Sequence, residues 1–161
     1  MISSRIGGIV IRNGDQIPSL ERFIHAHALH TNIAPHGTQN VTAEIEVVVR
    51  ESGCVDGLCH LYVPHTTAGV LINEGDDPAV ARDIEAALDR LVPHRGNYEH
   101  AEGNSDSHIK TALVGSSETV PIENGRLALG RWQAVFLAEF DGPRTRDLRV
   151  KVVPDPPADI S

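Results

Sequence analysis

Hydrophobic and polar positions alternate in several segments of the chain. Residues 57–65, GLCHLYVPH, place one cysteine, one leucine and one valine on a common face. Because successive side chains of a strand point to opposite faces, this segment predicts a half-buried strand running up to Pro64. Residues 21–31, ERFIHAHALHT, alternate in the same way and predict a second strand. Further strand-like runs lie near residues 118–122, 132–140 and 147–153.

A helical period appears in residues 41–53, VTAEIEVVVRESG, although their β-branched side chains also suit a strand. The flanking residues favour the helix. Thr42 can cap the first turn and Gly53 can end the last one. We therefore predict a helix here.

The clearest helix signal is at Asp77, whose carboxylate can accept from free backbone N–H groups at a helix start. Pro78 follows at the first helical position, where its missing N–H costs nothing, and Pro93 ends the pattern. The expected buried stripe of this helix consists of Val80, Ile84, Leu88 and Leu91.

A shorter helix is predicted to begin near Ser105 or Asp106 and to end at Gly115. It is expected to bury Ile109, Ala112 and Leu113.

Strands near both ends with helices between them predict a mainly antiparallel α+β domain, because the regular alternation of a parallel sheet is missing. The 161 residues fit one domain. We expect residues 1–18 to form a variable N-terminal extension, residues 19–153 to form the domain and residues 154–161 to form a flexible tail.

The formal net charge of -8 argues against nucleic acid and anionic membrane surfaces as partners. No stretch approaches the roughly 20 apolar residues of a membrane helix, so we expect a soluble, cytoplasmic protein. The only two cysteines, Cys54 and Cys59, fit neither a disulfide framework nor a zinc motif. They are expected to pack as reduced thiols.

Three histidines, His65, His100 and His108, are candidate ligands for a divalent metal ion, zinc or magnesium. Glu74 and Asp106 could complete or orient such a site. The alternative is that these are ordinary surface or core histidines, since the chain has nine.

Hydroxyl groups and backbone N–H groups near a helix start suit phosphate oxygens. The candidates are Thr66, Thr67, Gly103, Asn104, Ser116 and Ser117. Helix capping by Asn104, Ser105 or Asp106 would explain the same residues without a ligand.

Acidic and aromatic candidates complete the set. Glu74, Asp76 and Asp77 could hold a hard divalent ion or supply a general base, although Asp77 is also the expected cap. Trp132 and Gln133 could line a pocket for a flat ring, or the tryptophan could simply pack in the core.

Three long motifs resemble those of the YjbQ family, whose members are often described as secondary thiamine-phosphate synthases. They are HTTAGVLINEGDDP from residue 65, HAEGNSDSHIKTALVGSS from residue 100 and VPIENGRLALGRWQAVFLAEFDGPRTR from residue 120. The likeness spans roughly residues 23–153. Two positions depart from the family pattern, which usually has threonine at Arg131 and alanine at Ser107.

The resemblance implies a β-sandwich-like core with two or three helices, and a homotrimer whose subunit clefts gather polar residues. It implies a small phosphorylated molecule as ligand and thiamine-phosphate synthesis as activity, in which a pyrimidine methyl pyrophosphate couples to a thiazole phosphate. It assigns catalytic roles to His65, Glu74, Asn104, Asp106 and His108. It points to substrate binding by Thr66, Thr67, Ser116, Trp132 and Gln133, and we expect Gly103 and Arg131 to take part from their own chemistry.

In that reaction a divalent ion held by Glu74, Asp76 or the histidines would bind pyrophosphate, helped by Lys110, Arg131 and Arg144. Two alternatives stay open at this point. One is a metal-dependent hydrolase of a small phosphorylated substrate. The other is a trimeric metal-binding or ligand-binding protein without catalysis.

Overall fold

The computed structural model describes residues 25–33 and 36–156. Three helices and eight strands form within these residues. The helices are α1 (Thr42–Ser52), α2 (Pro78–Leu91) and α3 (Ser105–Val114). The strands are β1 (His25–Ile33), β2 (Gly37–Asn40), β3 (Gly57–Tyr62), β4 (Ala68–Glu74), β5 (Ser117–Glu123), β6 (Arg126–Leu127), β7 (Gln133–Glu139) and β8 (Arg144–Pro154).

The strands form two sheets, one with the order β1-β8-β3-β5-β6 and one with the order β2-β7-β4. Every pairing between the described strands is antiparallel. One core joins residues of both sheets to the inner face of α1, for example Ile45, Leu61 and Leu137, all fully buried. This arrangement confirms the predicted mainly antiparallel α+β fold.

The predicted strands are confirmed within the described residues. In β3 the alternation holds, with Cys59 and Leu61 fully buried while Leu58 and Tyr62 are exposed. Both cysteines are free and buried, and burial raises the pKa of the Cys59 thiol to about 12. Three strands were not predicted, β2, β4 and β6. The strands β2 and β6 have only four and two residues. The strand β4 lies within the segment HTTAGVLINEGDDP, in which the polar residues at both ends obscure the strand pattern.

The helix α1 ends as predicted, because Gly53 adopts the left-handed conformation with φ of 70°. Its start differs from the prediction. Val41 occupies the cap position and makes no side-chain cap, while Thr42 Oγ1 donates to Asn40 Oδ1 at 2.7 Å and accepts from Val135 N at 2.9 Å. The Thr42 hydroxyl therefore ties α1 to β7 instead of capping the helix.

The helix α2 begins as predicted, with Asp77 Oδ1 accepting from Ala79 N at 2.8 Å and Pro78 in the first turn. The predicted buried stripe was wrong. Val80, Ile84 and Leu88 are only half-buried, and Leu91 is 69% exposed. The reason is that α2 contacts little more than β2 and β4, so its apolar face lacks a full cover within the described chain.

The helix α3 has the predicted bounds, but the predicted buried face was wrong. Ile109 and Leu113 are exposed, whereas the buried residues are polar: Asp106, Ser107, Lys110 and Thr111. Hydrogen bonds explain the reversal, because Ser107 Oγ donates to Phe140 O at 2.6 Å and Lys110 Nζ donates to Asp89 Oδ1 at 2.7 Å. These bonds satisfy Ser107 and Lys110, two of the four polar residues on the buried face.

The predicted extension, residues 1–18, lies outside the described residues. At the other end, β8 includes Pro154, and Asp155 N donates to Asp56 O at 2.9 Å. The ordered strand thus continues past the predicted start of the tail. Among the helices of the described residues, none has the length and apolar character to cross a membrane.

Candidate functional site

A cleft of about 580 Å³ lies where the chain leaves β3 and meets α3. Its polar lining comes from His65, Thr66, His108, Thr111 and Ser116, and we call it the His65 cleft. The structure thus brings four of the predicted site residues together from two separate motifs. The fifth, Thr111, was not singled out from the sequence.

The ring of His65 is fixed by the strand behind it, because Nε2 accepts from Asp147 N at 2.9 Å. A nitrogen that accepts cannot carry a proton, so the neutral ring bears its hydrogen on Nδ1. Burial lowers the pKa of His65, and the nearby Arg146 lowers it further. At neutral pH His65 is therefore an uncharged hydrogen-bond donor.

The hydroxyl side of the cleft is built at the junction of α3 and β5. Gly115 N donates to Thr111 O at 2.8 Å as α3 ends, and Val63 N donates to Ser116 O at 2.8 Å. These bonds place Ser116 beside the end of β3. Thr111 is 8% exposed, and its Oγ1 has no hydrogen-bond partner within residues 25–33 and 36–156.

His108 is half-buried and lies between two cavities. The second cavity, of about 470 Å³, is lined by Tyr98, His100, Ser105 and Ile109 among others. The rings of His100 and His108 contact each other edge to face, with centroids 5.2 Å apart and an interplanar angle of 89°. Of the three predicted histidines, two therefore line the His65 cleft and the third stacks beside it.

A buried ion pair lies directly behind the cleft, between Glu139 and Arg146. Arg146 Nε donates to Glu139 Oε2 and Nη2 donates to Glu139 Oε1, each at 2.6 Å. Nη2 also donates to Thr67 Oγ1 at 2.8 Å. The predicted ligand residue Thr67 is thus buried against the ion pair. Sequence reasoning missed both charged partners, because nothing local shows that Glu139 and Arg146 meet.

Asp106 also lies in a buried network instead of at the cleft surface. It is 1% exposed, accepts from Lys110 Nζ at 3.2 Å and contacts His94 Nδ1 at 3.2 Å. Burial raises the pKa of Asp106, but the hydrogen bonds with His94 and Lys110 outweigh it, so the pKa lies below its ordinary value. Asp106 is therefore an ionised anchor of α3.

Asn104 occupies the cap position of α3 without a side-chain cap bond. Its Nδ2 donates instead to Asp141 Oδ2 at 2.9 Å, while its buried Oδ1 has no partner in the described part of the chain. Gly103 lies in an exposed turn with φ of 77°. Neither residue lines the His65 cleft.

Four predicted site residues lie elsewhere. Glu74 pairs with Gln133 at one end of β4, whereas the His65 cleft lies beyond the opposite end of that strand. Seven residues of strand span about 20 Å, which separates the two groups. Glu74 lines a different cavity, of about 460 Å³. Trp132 is 52% exposed, with the Arg131 guanidinium 4.8 Å from its ring centroid.

Among residues 36–156 and the described part of β1, no group of three or more histidine, cysteine or acidic side chains could hold a metal ion. Within the cleft, His65 Nε2 is already occupied by Asp147 N–H. The side chains of the described residues of one chain therefore do not form a set that fits the predicted divalent ion. Zinc or magnesium binding stays a prediction that metal analysis of the purified protein tests.

The model of the family described as UPF0047 protein YjbQ-like matches residues 27–155. The chain belongs to the YjbQ family. A UPF0047 protein of Methanocaldococcus jannaschii is 50% identical over 116 residues, which are 72% of this chain and 84% of that protein.

Two solved YjbQ structures share the fold. A YbjQ-like protein of unknown function from Sulfolobus solfataricus has a TM-score of 0.79 at 26% identity, covering 82% of this chain and 98% of its own. An uncharacterized family member from Clostridium acetobutylicum has a TM-score of 0.75 at 46% identity, covering 80% and 99%.

The expected activity needs correction. YjbQ relatives are named by family alone or described as of unknown function, and none of these names supports thiamine-phosphate synthesis. That prediction is therefore wrong. Within one chain, Glu74 and Trp132, which were expected to hold pyrophosphate and a ring, lie about 20 Å from the His65 cleft along β4.

Proposed function

We propose that the His65 cleft binds the phosphoryl group of a small phosphorylated molecule. The observation that carries this proposal is the polar lining, which combines two imidazoles with the hydroxyls of Thr66, Thr111 and Ser116 and contains no carboxylate. Hydroxyl and N–H donors that converge without a competing negative charge suit a phosphate group. In a chain with net charge -8, such an acid-free lining favours an anion locally.

The electrostatics of His65 support the same ligand. Burial lowers the pKa of His65, so its Nδ1–H is a neutral donor at physiological pH; Arg146 and Arg149 lower the pKa further, whereas Asp147 and Glu139 raise it. A neutral N–H donor of this kind can bond a phosphate oxygen. A bound phosphate dianion would in turn raise the pKa of His65 and strengthen the hydrogen bond it donates.

Thr111 adds a donor that the protein itself leaves unused. Its buried Oγ1 has no partner among the residues that the structure describes. Threonine in a helix occupies two χ1 rotamers, so a ligand oxygen in the cleft can recruit this hydroxyl by a single rotation. Binding would then satisfy a group that is costly to leave unpaired.

We propose further that the protein assembles as a homotrimer, as the resemblance implies. Leu91 at the end of α2 is 69% exposed and Leu113 on α3 is 55% exposed. Large exposed apolar side chains on neighbouring helices suit an interface between subunits. Analytical ultracentrifugation of the full chain tests this, with Leu113→Asp expected to shift the trimer towards monomer. A monomer at all concentrations of the unmodified protein would overturn it.

Calorimetric titration with methyl phosphate tests the phosphate proposal. The double variant Thr66→Val/Ser116→Ala removes two hydroxyls from the cleft and should weaken binding roughly tenfold, from about 0.5–1.5 kcal/mol for each lost hydrogen bond. Thr119→Val is the matched control, because Thr119 is exposed on β5 and bonds His60 Nδ1 at 2.9 Å, outside the cleft. Equal affinity in all three proteins, or no saturable binding to any, would overturn the proposal.

A further inference from the structure

We infer that the cavity beside His108 receives an aromatic ring carried by the phosphorylated molecule. This inference rests on the proposed phosphate site and names the class of its ligand, an aryl phosphate. His108 lines both the His65 cleft and the second cavity, so the two spaces adjoin across its side chain. A single molecule with a phosphate at one end can therefore reach both.

The second cavity has aromatic and apolar walls but lacks the three threonine and serine hydroxyls that line the cleft beside Tyr62 and His65. Tyr98 and His100 contribute flat rings, and Ile109 contributes an apolar side chain that is 39% exposed. Its volume of about 470 Å³ lies within the usual range of small-molecule sites. An exposed isoleucine between aromatic side chains gains by covering its surface with a ring.

The aromatic wall is held in place before any ligand arrives. Tyr98 Oη donates to Pro93 O at 2.8 Å, which fixes one end of the ring. The ring also packs on the backbone at Gly96, where a Cβ would lie 2.7 Å from two Tyr98 ring carbons. On the other side, the edge-to-face contact with His108 orients His100. Rigid walls lower the entropy cost of binding.

Charge explains why the ring belongs in this cavity and the phosphate in the cleft. Glu99 lines the second cavity and Glu102 lies 3.7 Å from His100 Nε2, so two carboxylates lie at or beside this space. The His65 cleft has no carboxylate in its lining. A ligand with one anionic end is thereby oriented with its ring towards Tyr98.

The experiment compares phenyl phosphate with methyl phosphate by calorimetric titration of the full chain. The unmodified protein should bind phenyl phosphate about tenfold more tightly, since only this ester carries a ring to bury. Tyr98→Ala and Ile109→Ser should each remove most of that advantage while leaving the affinity for methyl phosphate unchanged. Val47→Ser is the matched control, because Val47 is 36% exposed on α1 and should keep the full advantage.

The outcomes separate the two proposals. If methyl phosphate and phenyl phosphate bind equally well, the phosphate site stands and the inference about the ring is overturned. If neither ester binds, the proposed function fails and the inference fails with it. Circular dichroism confirms that each variant is folded, and Ile109→Ser gives an independent result should Tyr98→Ala unfold.

Discussion

Replacing Arg146 by methionine tests whether the buried ion pair behind the His65 cleft holds this end of the fold. Arg146 is 5% exposed and Glu139 is fully buried, with two hydrogen bonds of 2.6 Å between them. The variant would leave the Glu139 carboxylate buried with Asp141 N as its remaining donor, at 2.8 Å. It would also remove the bond to Thr67.

The magnitude follows from burial. Breaking a buried pair from one side costs about 3–5 kcal/mol, because an uncompensated charge remains in the interior. Arg144→Met is the matched control on the same strand. Arg144 pairs with Asp141 at 3.0 Å but is 56% exposed, so its loss should cost about 0–1 kcal/mol. The double variant Glu139→Leu/Arg146→Met removes both charges and should be more stable than Arg146→Met alone.

Urea unfolding followed by far-ultraviolet circular dichroism measures the free energy of unfolding of the four proteins. We expect a large loss for Arg146→Met, a small one for Arg144→Met and a partial recovery in the double variant. The reasoning is refuted if Arg146→Met costs no more than Arg144→Met. A double variant less stable than Arg146→Met would refute the claim that the unpaired charge of Glu139 causes most of the loss in the free energy of unfolding.

Three further predictions follow from other parts of the structure. Lys110→Met leaves buried Asp106 without its main cation and should lower the free energy of unfolding by about 3 kcal/mol in urea titrations; a loss under about 1 kcal/mol would contradict this. Because folding lowers the pKa of His65, the unfolded chain takes up this proton at a higher pH than the folded chain does. The contribution of His65 to the free energy of unfolding is therefore fully present above about pH 6.5 and declines as the pH falls below that value. Urea titrations across this range should show a shallower decline in His65→Gln, and an unchanged slope would exclude His65 as its source. Gly69→Ala would place a Cβ 2.6 Å from Gly115 O and should cost about 1–3 kcal/mol, visible as a lower Tm; an unchanged Tm would show that the backbone there can move.

Only some of the predicted site residues lie together within a single chain. His65, Thr66, His108 and Ser116 line one cleft, although they come from separate motifs. Glu74 and Trp132 were expected beside them but lie near the opposite end of β4. The sequence pattern did not predict β4, so it did not show that His65 and Glu74 lie at opposite ends of one strand. The position of Trp132 depends on the pairing of β4 with β7, which no local pattern specifies.

The amino-acid sequence by itself determined where two helices begin or end and which face of β3 is buried. Asp77 and Pro78 begin α2 and Gly53 ends α1, because a cap bond or a left-handed turn depends on residues that are neighbours in the chain. The alternation of Cys59 and Leu61 likewise predicted the buried face of β3 from the period of a strand.

Only the tertiary structure decided what each helix buries and which side chains meet. The polar face of α3 packs inward because Lys110 donates to Asp89 and Ser107 donates to the Phe140 carbonyl. Both partners are distant in the sequence. Arg146 reaches Thr67 for the same reason, through strands brought together by folding. A buried polar group is tolerated only where its partner is present, and no local pattern specifies partners that far along the chain.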